Sequence, residues 1–318
     1  MSAEILEWEA GTLALGPAAV ALGVFDGVHI GHQALIADAV ARAAELDILS
    51  CVMTFDRDPD QVLTPDRAAP QLLTLEDKIK ALQGLGLGAI VIVPFCRLVA
   101  EMAPDRFVSD VLSDTLRPVE VFVGRDFRFG RSASGNVTLL ERYGGAHGFK
   151  VVARELLSVD GVPVTSTRIR QLVASGDVAA ARDLLGRPHI VRGRVVHGRA
   201  AGRQLGTPTA NVTPVKHAAI PANGVYSGCV RVGETRYSAG ISVGSPPTFP
   251  EARDYLEAHL LDFEGDLYGA EIGLEFRERL RDQHAFDTPE ALAQAIRGDI
   301  DRISGTVGDR GGERGPCE

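Results

Sequence analysis

One stretch of ten residues, Gly23 to His32, constrains the fold of this 318-residue chain more than any other. The hydrophobic run Ala18–Phe25 leads into it, and the apolar-periodic segment Gln33–Leu46 follows it. This order predicts a β-strand, a glycine-rich turn and an α-helix in succession. The N–H groups at the start of such a helix lack backbone partners and favour anions, and glycines let a ligand approach the backbone closely. The stretch therefore predicts a phosphate-binding turn.

Two histidines, His29 and His32, lie at the mouth of this turn. Imidazoles there can donate hydrogen bonds to phosphate oxygens and stabilise charge that develops on them. The alternative is structural: the glycines make a tight connection and the histidines cap a helix. The two residues alone leave both alternatives open.

Strand-like and helix-like segments alternate up to about Gly186. Such alternation predicts right-handed βαβ units on a parallel sheet, with ligands beyond the carboxyl ends of the strands. The other predicted strands are Ile48–Phe55, Ala89–Pro94, Val119–Val123 and Phe149–Ala153. The other predicted helices are Thr74–Leu85, Pro104–Leu116 and Val137–Tyr143.

The pattern changes after a short predicted helix, Asp177–Leu185. Strands separated by turn residues then predict a small antiparallel barrel, closed by a final helix at Pro289–Ile303. The predicted barrel strands are His189–His197, Gly224–Val232, Thr235–Val243, Tyr255–Phe263 and Glu271–Arg279. We expect one domain at residues 1–186, a second at 187–304 and a disordered polar tail at 305–318.

Composition excludes several classes of protein. Hydrophobic residues make up 45% of the chain and charged residues 24%, as in soluble globular proteins. A net charge of −9 argues against nucleic acid as a partner, and no apolar run is long enough to span a membrane. Small-molecule substrates and a monomer or weak homo-oligomer are expected. The spacing of Cys51, Cys96, Cys229 and Cys317 predicts neither a zinc site nor a disulfide framework and favours the cytoplasm.

A second candidate phosphate site precedes the predicted helix that contains Leu172. Ser166 or Thr167 can cap this helix. Their hydroxyls and the Arg168 guanidinium also make a clamp for phosphate, because arginine offers a planar fork of donors. Asp126 follows another predicted strand, where an aspartate taken alone is more often a turn residue.

Two further features lie in the second half of the chain. The segment 202–211 is a polar loop with a rigid Pro-Thr elbow, and most such loops only connect strands. Glu257 and His259 share one face of a predicted strand. A glutamate on an otherwise apolar strand costs desolvation free energy unless it is paired or used, and a solvent-facing strand side is the alternative.

These motifs together resemble the bacterial bifunctional riboflavin kinase/FAD synthetase family, from about Leu22 to Ile303. The first turn is similar to the HxGH signature of nucleotidyltransferases. The other matching patterns are S-T-x-I-R at 166–170, G-x-D-F-R-F-G at 124–130, G-x-x-x-G-x-P-T-A-N at 202–211 and E-x-x-x-x-D-F at 257–263.

The resemblance implies an N-terminal α/β nucleotidyltransferase domain of Rossmann-like, HxGH type and a C-terminal β-barrel riboflavin kinase domain with a terminal helix. ATP and Mg²⁺ would be the cofactors, and riboflavin, FMN and FAD the flavin substrates. The implied catalytic residues are Glu257, as general base of the kinase, and His29, His32 and Arg168. Thr209 and Asn211 would bind the metal. The implied nucleotide-binding residues are Gly23, Phe25, Asp26, Gly27, Gly31, Asp126, Ser166, Thr167, Gly202, Gly206 and Pro208.

The chain departs from the family pattern at three positions. Asp58 replaces a phosphate-side histidine, Cys96 replaces an aspartate, and Pro246 replaces a residue with a side-chain donor. An ionised Asp58 that faced the phosphates would repel them, unless Arg57 neutralised it, Mg²⁺ bridged it or it pointed away. Two alternatives therefore stay open. One is a riboflavin kinase with a degenerate, regulatory first domain. The other is a relative that acts on a modified flavin or another nucleotide.

Overall fold

The structure is a computed structural model, and it describes residues 3–9, 15–197, 209–244 and 256–283, with 294–295, 298–300 and 302. Gly202, Gly206, Pro208, the tail and most of the predicted final helix lie outside the described residues. The chain divides into two compact units, Met1–Ser166 and Thr167–Glu318. No helix in the described part of the chain is long and apolar enough to cross a membrane.

The first unit is built on a parallel sheet of six strands, in the order β1-β4-β3-β2-β5-β6. All five residues of β2 and of β4 are buried, as expected for central strands covered on both faces. The strands are β1 Glu4–Glu7, β2 Ala18–Leu22, β3 Leu49–Phe55, β4 Ala89–Val93, β5 Pro118–Gly124 and β6 Lys150–Arg154. A short hairpin follows, β7 Ser158–Val159 and β8 Val162–Pro163. The position of β2 between β3 and β5 places the turn after it near the middle of the carboxyl edge.

Helices connect these strands and cover the sheet. They are α1 Ile30–Leu46, α2 Asp60–Leu63, α3 Leu75–Gln83, α4 Arg97–Ala100, α5 Pro104–Arg106, α6 Asp114–Leu116 and α7 Val137–His147. A π-helix, Phe107–Ser113, joins α5 to α6, where the sequence predicted one regular helix. Its wider turn buries pairs of apolar residues four positions apart, Phe107 with Val111 and Val108 with Leu112.

The second unit is a closed antiparallel barrel in the order β10-β13-β12-β11-β14-β9. Its strands are β9 His189–Val196, β10 Ala210–Pro214, β11 Gly224–Val232, β12 Thr235–Val243, β13 Leu256–Leu260 and β14 Glu271–Arg281. Alternate side chains fill the interior, as on β13, where Leu256, Ala258 and Leu260 are buried. Two helices precede the barrel in the chain, α8 Ser166–Ser175 and α9 Val178–Leu185.

Two further sequence predictions need correction. The strand expected over Ala18–Phe25 ends at Leu22, because the backbone turns sharply after it. Residues 210 and 211, expected at the end of a loop, belong instead to strand β10. The few apolar residues of this strand follow a polar stretch of sequence, which concealed the strand. The cysteine spacing predicted no disulfide framework; Cys51 and Cys96 are free, and Cys229 is disulfide-bonded.

Candidate active sites

The turn after β2 has an unusual backbone. Phe25, Gly27 and Val28 have positive φ angles of 54°, 80° and 39°. A β-branched residue such as valine seldom adopts this conformation, and strain of this kind is found at ligand-binding positions. The side chains of Phe25 and Val28 are buried, so packing holds the turn in its shape. The turn is therefore preformed.

Two glycines make room for aromatic rings at this turn. A Cβ atom on Gly31 would lie 3.2 Å from the ring of His29, and one on Gly23 would lie 3.1 Å from the ring of Phe25. Such contacts are tighter than most that real side chains make. Both positions therefore favour glycine, which agrees with their place in the motif.

His29 and His32 have a structural role that the sequence left open. His29 is the N-cap residue of α1, and its Nδ1 accepts a hydrogen bond from the backbone N–H of His32 at 3.2 Å. In the neutral ring, Nε2 then carries the proton. The His32 ring stacks on the His29 ring with centroids 3.5 Å apart. Capping and phosphate binding are compatible, because they use different nitrogen atoms.

Asp26 is buried, and its carboxylate accepts hydrogen bonds from the backbone N–H groups of Leu72 at 3.1 Å and Leu73 at 3.3 Å. It thereby ties the turn to the segment before α3. The Ser166 hydroxyl donates to the Asp26 carbonyl oxygen at 2.9 Å. The start of the second predicted clamp therefore lies against the first turn. Thr167, which follows in the chain, is exposed.

Arg168 and Asp126 are the other predicted residues of the adenylyl-transfer site. Arg168 is half-buried near the start of α8. Asp126 is exposed in the turn after β5, at the carboxyl edge of the sheet. Its Oδ1 lies 2.9 Å from the position that a Cβ on Gly124 would take, so the carboxylate folds back over that glycine.

Sequence reasoning missed Lys78. This residue lies on α3, is only 4% exposed, and donates hydrogen bonds to the carbonyl oxygens of Phe55 at 2.7 Å and Val24 at 3.2 Å. The sequence carries no signal for it, since a lysine on an amphipathic helix usually faces water. Asp58, which departs from the pattern of the family that the sequence resembles, is also buried.

The outer face of the barrel holds a polar row across three strands. Asn211 on β10 is paired in register with Glu257 on β13, which is paired with Ser242 on β12. Residues directly opposite in antiparallel strands have Cβ atoms about 5 Å apart, so their side chains are neighbours. The Ser242 hydroxyl accepts a hydrogen bond from Gln283 at 2.6 Å.

Two members of this row have unusual environments. Asn211 is buried, and its Oδ1 atom has no hydrogen-bond partner among the described residues. Glu257 is half-buried, and burial raises the pKa of its carboxyl group. A raised pKa makes a carboxylate a stronger base once it is ionised.

The residues present fit a magnesium ion, the metal that the family resemblance implied. The unpartnered oxygen of Asn211 is a neutral, hard donor of the kind that Mg²⁺ binds, and the Thr209 hydroxyl lies two residues before it in the chain. Thr209 immediately precedes strand β10, on which Asn211 lies. A cavity of about 460 Å³ next to β10 is lined by Asn211 together with apolar and basic residues, Val212, Lys216, His217, Ile220 and Leu256 among them.

Profiles of two known families match the two parts of the chain. The family described as FAD synthetase matches residues 13–168, and the family described as riboflavin kinase matches residues 185–306. A bifunctional riboflavin kinase/FMN adenylyltransferase from Pseudomonas fluorescens is 38% identical over 280 residues, 88% of this chain and 89% of the relative. The chain belongs to the bifunctional riboflavin kinase/FMN adenylyltransferase family.

Other members of the family are almost as similar. The protein of the same name from Escherichia coli (strain K12) is 36% identical over 279 residues, 87% of this chain and 89% of the relative. That from Bacillus subtilis (strain 168) is 35% identical over 285 residues, 88% of this chain and 89% of the relative. A crystal structure from Streptococcus pneumoniae, named a macrolide-efflux protein, has a TM-score of 0.83 at 28% identity and covers 94% of this chain and 98% of its own. These similarities confirm the predicted family and fold class.

Proposed function

We propose which residues carry out each of the two reactions of this family of transferases. The chain is a bifunctional enzyme of flavin cofactor biosynthesis: it phosphorylates riboflavin to FMN and adenylylates FMN to FAD, with ATP as the donor. Matches to both family profiles, each over its own part of the chain, favour this function over a kinase with a degenerate first domain.

In the first unit, adenylyl transfer needs no protein nucleophile. The FMN phosphate attacks the α-phosphorus of ATP in line, and pyrophosphate leaves. His29 and His32 donate hydrogen bonds to the phosphates from the preformed turn. The family resemblance also assigns triphosphate binding to Arg168, which follows the first unit in the chain. Asp26 and Ser166 position these groups. The preformed, strained turn is the observation that supports this proposal.

In the second unit, Glu257 is the general base of the kinase. It takes the proton of the riboflavin 5′-hydroxyl as that oxygen attacks the γ-phosphorus of ATP. Thr209 and Asn211 would hold Mg²⁺ through neutral oxygens, and the ion would supply positive charge to neutralise the ATP phosphates. Gly202, Gly206 and Pro208 lie outside the described residues, and the family resemblance alone assigns them to covering those phosphates. The position of Glu257 directly opposite Asn211 supports these assignments.

One experiment tests the whole proposal. Pure protein is incubated with riboflavin, ATP and Mg²⁺, and FMN and FAD are separated by chromatography over time. We expect FMN first and FAD after it. A protein that makes FMN but converts none to FAD, even when FMN is supplied, would favour a kinase-only enzyme.

We further propose that the enzyme works in the cytoplasm as a monomer or weak homo-oligomer, where ATP and both flavins are available. The domain boundary expected between residues 186 and 187 and the tail expected at 305–318 stay predictions; the compact units divide between Ser166 and Thr167, and the tail lies outside the described residues. Sedimentation velocity at two protein concentrations tests the oligomeric state.

A further inference from the structure

Lys78 and Asp58 are buried charged residues in the first unit, exposed by only 4% and 6%. Lysine and aspartate are rarely this buried unless they are paired. Lys78 lies on α3, and Asp58 lies in the segment that follows β3. Both therefore belong to the carboxyl edge of the sheet, where the phosphate-binding turn also lies.

The Lys78 ammonium joins the ends of two central strands. It donates to the carbonyl oxygen of Phe55, the last residue of β3, and to that of Val24, just after β2. The Val24 oxygen also accepts the Thr54 hydroxyl at 2.9 Å. Each strand end continues directly into a segment of the site, β2 into the turn 23–32 and β3 into Asp58.

Three carboxylates act on the charge of Lys78: Asp58 most strongly, then Asp26 and Asp56. Arg57 is engaged elsewhere, because it binds Asp56 through hydrogen bonds of 2.7 Å and 2.9 Å. Burial lowers the pKa of Lys78, and the three carboxylates oppose that effect. The Asp58 charge therefore favours the protonated form of the buried ammonium, although these two described groups form no direct ion pair.

We propose that Lys78 is a positioning residue for adenylyl transfer and that Asp58 is its counter-charge. The inference rests on the proposed function of the first unit. The protonated ammonium fixes the turn 23–32 relative to the end of β3, and Asp58 keeps that ammonium protonated inside the protein. Lys78 acts through the backbone and touches no substrate.

The first test is a double-mutant cycle with Lys78→Met, Asp58→Asn and the double variant, assayed for conversion of FMN to FAD. We expect Lys78→Met to lower kcat at least tenfold. The double variant should recover at least threefold of that loss, because the Asp58 charge that acts on the ammonium is removed together with it. Lys80→Met is the matched control: Lys80 lies on the same helix, is half-exposed and pairs with Glu76. We expect it to stay within twofold of wild type.

Riboflavin phosphorylation by the same preparations and the emission of Trp8, the single tryptophan, report whether each variant is folded. The second test needs no variant of Lys78. Asp58→Asn removes the strongest effect that keeps the ammonium protonated, so the pKa of Lys78 falls further. The alkaline limb of the pH profile for FAD formation should then begin at lower pH than in wild type.

Three results would overturn this inference alone: full activity of Lys78→Met, a double variant no faster than Lys78→Met, or an alkaline limb that Asp58→Asn leaves in place. A wild type that forms FMN but no FAD would instead overturn the proposed function of the first unit, and the inference with it.

Discussion

Glu257 lies half-buried on the outer face of β13, opposite Asn211 and Ser242. If it is the base, Glu257→Gln keeps the shape of the side chain and removes the proton acceptor. We expect kcat for FMN formation to fall by ~10²–10⁴-fold with little change in ATP binding. Steady-state kinetics and ATP titration measure the two effects. His259→Gln, two residues along the same strand face, is the control, and normal turnover by Glu257→Gln would contradict the assignment.

The raised pKa of Glu257 also predicts how FMN formation depends on pH. Burial favours the protonated carboxyl group, so the base is lost at a higher pH than an exposed glutamate would be. FMN formation should therefore decline, as pH falls, before the ordinary glutamate range is reached. A profile of kcat/KM between pH 4 and 8 tests this, and an acid limb at the ordinary value would argue against burial of the base.

His29 caps helix α1 and is proposed to contact phosphate, and two variants separate these two roles. His29→Asn retains a capping oxygen but no imidazole, whereas His29→Ala loses both, and a lost cap costs about 1 kcal/mol of stability. We expect both variants to lose FAD formation and to retain FMN formation, and only His29→Ala to melt earlier. If His29→Asn makes FAD normally, the imidazole serves the helix alone.

Sequence could name most residues of the candidate sites because their chemistry is local. The turn 23–32 and the segment at Ser166 are contiguous motifs, and the structure brings them together through Asp26. Lys78 could not be found in this way. Its role depends on carbonyl oxygens 23 and 54 residues away in the chain, which no local pattern encodes.

At the scale of elements, α9 belongs to the barrel. Val178, at its start, is fully buried in the barrel core, and α9 packs on β14 and β9. A fragment from Thr167 to Glu318 keeps this helix, and one from Arg187 to Glu318 does not. FMN formation and thermal unfolding are measured for both fragments. The shorter fragment should lose about 1.5–3 kcal/mol from Val178 alone.

Equal stability and activity of the two fragments would show that α9 is dispensable and that a boundary at Gly186 is sufficient. An inactive longer fragment, with the intact chain active, would instead show that the kinase unit needs residues before Thr167.

Elements with strong apolar patterns were predictable from the sequence. β11 and β12 were predicted with their observed bounds, and β3, β4 and β14 to within two residues. The failures have physical causes. β1 is short and begins and ends with glutamate, the polar residues of β10 face outward, and the π-helix carries the apolar pattern of a regular helix.

At the scale of the whole molecule, the change from alternating helices and strands to successive strands predicted two different architectures, and both are present. Their topologies follow from hydrophobic periodicity together with the handedness of parallel connections. The cyclic order of the barrel strands could not be predicted in the same way. Several orders satisfy the same alternation, and only long-range packing selects one.

The two units also differ in their exposure to aggregation. A closed barrel presents no free strand edge, whereas the parallel sheet ends at β1 and β6, and an outermost strand can pair with another chain. Charged residues occupy these strands: Glu4 and Glu7 on β1, Lys150 and Arg154 on β6. Val152, between the two basic residues, is partly exposed. Poor solubility of a destabilised variant is therefore expected to begin at the sheet of the first unit, and added charge on β6 is the change that should relieve it.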